Sequence, residues 1–440
     1  MSPLLVGALL FSAMIVLMAV RVPIAIAMFV PGAIGYIVLS GSMPLLSHLK
    51  GALYARFSVY DLSVIPLFLL MGQFATQGGL SRSLFRAAAS MVGHFRGGLA
   101  MAAILACAAF GAICGSSVAT AATVAQVALP EMRAYNYSGR LATATLAAGG
   151  TLGILIPPSV VLVVYAILTE QNIAKLFAAA MIPGIIATIG YLISIGVVVR
   201  RHPEQGPALP RQTWSERLTT LRGVWPVVVI FFVVFGGIYG GIFTPTEGAA
   251  VGAVSTFVVG LAMRELGLAG IKRAFLGTAE TSGMIFMIFV GADMLNSALA
   301  LSQLPAALAD TVAHLGIHPL LVVVAILVFY ILLGCVMDEL SMILLTIPVL
   351  FPSVMALDLF GLNPTEKAIW FGILVLMVVE IGLIAPPVGL NVYVVNGMAR
   401  DVPMSETYKG VMPFLASDAV RVTLLVLFPG ISLWLVRLMG

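Results

Sequence analysis

The sequence predicts an all-α polytopic membrane protein of two inverted repeats, each with a re-entrant helical hairpin followed by a broken helix. Three observations predict it. Hydrophobic residues fill 61% of 440 positions and charged residues only 9%, against about a quarter charged in soluble domains. Apolar runs of membrane-entering length recur along the chain. One motif occurs twice, as Gly153-Ile154-Leu155-Ile156-Pro157-Pro158 and, 229 residues later, as Gly382-Leu383-Ile384-Ala385-Pro386-Pro387.

Each element follows from local pattern. The run Leu4–Val20 lacks a basic leader and continues into Arg21-Val22-Pro23, so it reads as a retained first span rather than a cleaved signal. Spans follow at 23–40 and 59–77. Residues 98–130 are apolar but interrupted by Gly111-Ala112-Ile113-Cys114-Gly115-Ser116-Ser117, the pattern of two short helices meeting at a polar tip. The run 141–169 holds the first double proline, which must break its helix because proline lacks the N–H and clashes with the preceding turn. A span at 177–199 completes the first half, 1–199. Residues 200–222 form a polar linker with three prolines before Arg211 and a surface helix at Trp214-Ser215-Glu216-Arg217-Leu218. The second half, 223–440, has spans at 224–242, 246–263 and 275–297. A hairpin at 319–352, interrupted by Gly334-Cys335-Val336-Met337-Asp338-Glu339, precedes the broken run 368–398 and a last span at 412–436. Bare backbone at such tips is tolerated only under protein or beside a water-filled cavity.

Charge supports the hairpins. With both re-entrant and the N-terminus outside, seventeen Lys and Arg residues, from Arg21 through Lys409 and Arg421, fall inside. Only Lys50, Arg56, Lys175, Lys367 and Arg437 fall outside, a strong positive-inside bias. Turning one hairpin into a full crossing flips every later loop. The first hairpin then enters from the cytoplasm and the second from outside, which relates the halves by inversion. The net charge of +4 is too small and scattered to indicate nucleic acid. Cys107, Cys114 and Cys335 lie in apolar runs, match no zinc or disulfide spacing, and read as small buried residues.

Broken helices at matching places in two halves point to the binding site of a secondary transporter. Freed carbonyls there can coordinate a small cation, and half-helix N-termini can face an anion. The first set is Gly115, Ser116 and Ser117 at the tip, with Gly149, Gly150, Thr151 and Gly153 at the break. The second is Gly334, Met337 and Asp338 with Gly382, Ala385, Pro386 and Gly389, followed by Asn391. Hydroxyl and carbonyl oxygens suit a hard cation such as sodium. The alternative is ordinary packing, since small residues and Ser/Thr are common at membrane helix contacts. Acids at membrane depth carry more weight because burying them is costly. Asp338 is the leading candidate for coupling, with Glu339, Glu380 and Asp293 behind it; Asp61 and Glu247 read as boundary residues or caps. None of the five histidines reads as a metal ligand.

At these residues the chain resembles the large membrane subunit of the tripartite ATP-independent periplasmic (TRAP) transporters, carriers of C4-dicarboxylates and sialic acid. The matching stretches are Ile65-Pro66-Leu67-Phe68, Gly115-Ser116-Ser117-Val118-Ala119, Gly150 to Ser159, Phe243-Thr244-Pro245-Thr246-Glu247, and Pro386-Pro387-Val388-Gly389-Leu390-Asn391. They run in order over nearly the whole chain. The resemblance implies an elevator of the ion-transporter type, importing a small organic anion with sodium across the bacterial inner membrane. It implies one sodium site at Ser116, Ser117, Gly150 and Thr151, and another at Gly334, Met337, Asp338 and Gly382. Solute is then expected against Ser116, Pro157, Pro158, Asp338, Pro386, Pro387 and Asn391. Where the family often has Thr before the second Pro-Pro, this chain has Ala385, which leaves only backbone oxygen there. The resemblance also implies two partners, a small four-helix membrane subunit and a periplasmic substrate-binding protein.

Other readings compete, among them a passive channel, which saturable, sodium-dependent flux would distinguish. A stand-alone divalent-anion/sodium symporter also uses hairpins and broken helices, but lacks the stretches above. An intramembrane aspartyl protease needs Tyr-Asp plus Gly-x-Gly-Asp; Tyr60-Asp61 is present and the second motif is not. Gly-x-Ser-x-Gly, His-Glu-x-x-His and P-loop patterns are also missing, so the sequence predicts no enzyme.

Overall fold

The computed structural model describes residues 2–439 apart from Arg21, Leu315 and Val336; the side chains of 19, 52–53, 55–56 and 312–313 are also outside the description. Arg21 and the side chain of Arg56, both used in the charge count, and Val336 of the second tip therefore lie outside the described residues. The described chain is helical from end to end, with no strand.

The first half opens with α1 (Pro3–Ala19), α2 (Ile24–Ser40) and α3 (Ser42–Phe57), then a short 3-10 turn and α4 (Val64–Gln77). α5 (Leu80–Val92) leaves α4 at a 65° bend. The hairpin is α6 (Gly98–Cys114) and α7 (Ser117–Ala134). The broken helix is α8 (Gly139–Leu155) and α9 (Val160–Thr169), bent by 41°. α10 (Ile173–Arg201) follows.

The linker carries α11 (Trp214–Arg222), started by a capping box in which Thr213 and Glu216 satisfy each other's backbone N–H groups. Those bonds hold the Glu216 carboxyl below its ordinary pKa. This helix is pinned to α5, with Ser90 Oγ 2.8 Å from Thr220 Oγ1. The second half has α12 (Trp225–Tyr239), α13 (Pro245–Ala262), α14 (Leu268–Leu301) and α15 (Leu304–His314). Its hairpin is α16 (Pro319–Gly334) and α17 (Glu339–Met355), its broken helix α18 (Pro364–Ile384) and α19 (Leu390–Met398). α20 (Met404–Leu427) and α21 (Gly430–Leu438) end the chain, the predicted span 412–436 being split at Pro429.

Three helices, α3, α5 and α15, occupy stretches that sequence pattern left as connections. α3 and α5 are too polar to read as spans and α15 too short.

Packing explains why the broken helices sit where they do. α18 is buried along its whole membrane-length window, whereas α10, α13 and α20 are only 39% buried there. Nearly every residue of α8 is buried as well. Irregular backbone at membrane depth has to be covered by protein, so the helices that break form the core. Their second pieces cross over: α9 packs on α17 and α18, and α19 packs on α7 and α8. Each half thereby supplies a lid for the other's hairpin and broken helix.

One residue of the sidedness count does not belong to a loop: Arg421 lies 2% exposed within α20.

Candidate functional site: two hairpin tips on two broken helices

The site is built from backbone first. Pro157 and Pro158 have no N–H, so the carbonyls four residues earlier, on Gly153 and Ile154, lose their regular helical donors. Pro386 and Pro387 do the same to Gly382 and Leu383. Both Pro-Pro bonds are cis. The two glycines so exposed are also the points where the hairpins touch. A Cβ on Gly111 of α6 would come within 2.7 Å of Gly153 Cα, and one on Gly382 within 2.5 Å of Gly334 Cα. Only glycine permits such an approach, and the contact recurs at matching places in both halves.

The tips are set by helix caps. Gly115 turns the first tip in the left-handed region at φ +66°, and Ser116 then caps α7, its Oγ accepting from Ala119 N at 3.4 Å. In the second tip Asp338 caps α17, accepting from Ser341 N at 3.2 Å and from the Ser341 hydroxyl. The leading acidic candidate is thus engaged in starting a helix. The next residue in each helix points into the protein, and these two meet. Ser117 Oγ donates to Glu339 Oε1 at 3.1 Å, with both side chains buried.

A second buried contact between the halves holds further expected residues. Asn391, in the first turn of α19, donates through Nδ2 to the Ala147 carbonyl of α8 at 3.3 Å. A Cβ on Gly150 would approach that Nδ2 to 3.0 Å. The Ser117–Glu339 and Asn391–Ala147 bonds are two buried polar contacts that join the halves. Glu339 Oε2 and Asn391 Oδ1 find no hydrogen-bond donor among the described residues. A buried acceptor left unpaired costs about 1–3 kcal/mol, so each contact is suited to receive a cation or a donor group.

Thr151 behaves otherwise. Its hydroxyl bonds back to the Ala148 carbonyl at 2.8 Å and sideways to Tyr191 Oη at 3.2 Å, so it is turned to α10 and not to the tip. From there a buried chain of contacts crosses the molecule. Tyr191 Oη donates to Asp418 Oδ2 at 3.0 Å, and Arg421 Nη2 donates to Glu380 Oε2 at 3.0 Å. Asp418 Oδ1 also lies 2.8 Å from Arg421 Nη2, an ion pair whose angle does not make a hydrogen bond. Glu380 is two residues before Gly382. The chain thus ties one broken helix to the other through α10 and α20. Sequence reading singled out Glu380 but missed Asp418 and Arg421, whose three-residue spacing on a hydrophobic helix was the available signal.

The remaining candidates divide by burial. Pro157 and Pro158 are buried, whereas Pro386, Pro387 and Val388 are exposed. There Tyr408 Oη reaches the carbonyls of Pro387 and Val388 at 2.8 and 2.7 Å. Met337 is half-buried beside the second tip. Asp293 lies elsewhere, on α14 at 3.8 Å from His48 of α3. Glu247 completes a capping box with Thr244 at the start of α13, and Asp61 sits in the 3-10 turn before α4.

Comparison with known proteins decides the family. The family model of the tripartite ATP-independent periplasmic transporter, DctM component, matches residues 11–431. The chain belongs to this TRAP large permease family. Its relatives include the C4-dicarboxylate TRAP transporter large permease protein of Pseudomonas aeruginosa, 36% identical over 382 residues and covering 87% of each chain. The ectoine TRAP transporter large permease protein of Halomonas elongata is 29% identical, covering 97% of this chain and 98% of that one. Among solved structures, the Alcanivorax borkumensis YdaH transporter matches with a TM-score of 0.64 at 15% identity, over 88% of this chain and 89% of that one. The last likeness shows the fold alone. As a TRAP large permease the chain is a transport subunit of a membrane.

Proposed function

We propose that this TRAP permease imports a small organic anion together with sodium, by an elevator movement in which hairpins and broken helices travel as one body. The observation that carries the reading is the paired geometry. Two proline breaks strip donors from the carbonyls of Gly153 and Gly382, and each glycine lies against its own hairpin. Such carbonyls, with hydroxyl and carboxylate oxygens nearby, match the ligand preference of a hard cation. At the first site the ligands are backbone of Gly150 and Gly153 with Ser116 and Ser117; Thr151 contributes through its backbone, its hydroxyl being engaged with Tyr191. At the second, backbone of Gly334, Met337 and Gly382 serves with Asp338. Asn391 and the two double prolines complete the solute wall.

Exposure favours alternating access. The second break is open at Pro386–Val388 while the first is sealed, the asymmetry of a transporter open to one side. Substrate class follows the relatives only as far as small solutes bearing an acidic group, carboxylate or sulfonate. A periplasmic binding protein delivers the solute and a small four-helix membrane subunit widens the scaffold, in the inner membrane with the N-terminus periplasmic. The test is uptake of labelled organic acids into proteoliposomes containing this chain, a small subunit and added binding protein. Uptake requiring both an inward sodium gradient and the binding protein supports the reading. Uptake indifferent to the binding protein supports a stand-alone symporter instead, and uptake driven by protons alone removes the sodium sites.

A further inference from the structure

A cavity of about 720 Å³ opens between α10 and α20, and no tip or break residue lines it. It has two unlike ends. At one, Arg140, Arg201 and Lys409 gather beside the linker; at the other the lining is apolar, with Ile186 and Leu424. Acids answer part of that charge: Glu406 takes Lys409 at 2.7 Å. Arg140 Nη2 donates to the Lys409 carbonyl at 3.1 Å and shares the field of Glu406 with Lys409, while Arg201 has no acidic partner among the described residues. One carboxylate thus faces three cations, and positive charge remains at that end. Arg421 lines the deep end, but its charge is taken by Asp418 and Glu380.

The wall lies on the surface of the chain rather than in its interior. Ile193 and Val420, which line it, are 60% and 61% exposed. Along α10 the lining runs from Ile186 to Arg201, about 22 Å at the helical rise. That is the depth of one leaflet, roughly half the thickness of a bilayer with its headgroups.

We propose that this groove is a binding site for an anionic phospholipid. Its phosphate is held by Arg140 and Arg201, and an acyl chain lies along Ile186, Ile193 and Val420. A small free anion uses only the basic end and leaves the apolar wall bare; a zwitterionic lipid leaves the two arginines without a net counter-charge. The basic end is also on the linker side, where the positive-inside bias puts the cytoplasmic leaflet with its anionic lipids. The proposal does not depend on sodium coupling.

Native mass spectrometry of the purified full chain tests it, with phosphatidylglycerol and phosphatidylcholine of equal chain length and with glycerol phosphate as competitor. Phosphatidylglycerol is expected to be retained preferentially. Arg140→Gln and Arg201→Gln each lower that preference about fivefold, the effect of one basic residue near an anionic surface, while Arg201→Lys keeps most of it. Val420→Trp fills the wall, keeps both arginines and releases the lipid. Size-exclusion profile and thermal midpoint verify that each variant is folded. Equal retention of the two lipids overturns the proposal, as does lipid retained unchanged in Val420→Trp. Displacement by equimolar glycerol phosphate would show a small-anion site instead.

Discussion

Asp338 and Glu339 stand side by side in the sequence, yet their carboxylates have different tasks. Asp338 caps a helix at the half-buried rim of its tip, while Glu339 is buried and meets Ser117 of the other hairpin. The two therefore separate experimentally. Asp338→Ala removes a cap and is expected to destabilise the tip by about 1 kcal/mol, whereas Asp338→Asn, which caps as well, restores stability. Glu339→Ala and Ser117→Ala should be non-additive, with a coupling of about 0.5–3 kcal/mol for two groups in direct contact. A double-mutant cycle on reversible unfolding measures it, and additive effects would show that the tip-to-tip contact is not formed. Arg421 gives the larger effect. Arg421→Met leaves Glu380 and Asp418 buried without their cation and should cost about 3–5 kcal/mol, recovered when both acids are also neutralised by Glu380→Gln and Asp418→Asn. If the triple variant is no more stable than the single one, the buried ion cluster is not the cause.

At the scale of elements, the glycine contacts decide how closely hairpin and broken helix approach. Gly382→Ala puts a methyl 2.5 Å from the Gly334 backbone, and backbone cannot yield as a side chain can. A loss of about 1–3 kcal/mol is expected, with uptake abolished because the freed carbonyl is pushed from the hairpin. Gly283 in α14 is the control, since nothing lies within 4 Å of a Cβ there. Gly283→Ala should stabilise by about 0.4–1 kcal/mol by restricting the unfolded chain, and leave transport unchanged. Thermal midpoints and uptake on the same preparations compare the two. The elements themselves were largely legible: both hairpins, both breaks and the linker helix follow from glycine, proline and apolar run length. α3, α5 and α15 were not, because polar or short helices carry no hydropathy signature of a span.

For the whole molecule, the reciprocal lids are the main consequence. α9 covers the second half's machinery and α19 the first's, so neither half can bury its broken helix alone. Expressed separately, 1–199 and 223–440 are each expected to leave α8 or α18 partly uncovered and to aggregate in detergent, while co-expression recovers a soluble complex. Monodisperse separate halves would argue against this account.

Composition, the repeated double proline and the order of hairpin and break determined the fold class and where helices run and break along the chain, because those depend on backbone chemistry written locally: a missing N–H, a missing Cβ, an apolar run. Partnership was decided only by tertiary structure. The meeting of Ser117 with Glu339, the turn of Thr151 toward Tyr191, and the placement of Arg421 between Glu380 and Asp418 join residues 222, 40 and 41 positions apart. Local sequence cannot specify which buried polar group answers another; the packing of helices does, by bringing each donor to the acceptor that burial would otherwise leave unpaired.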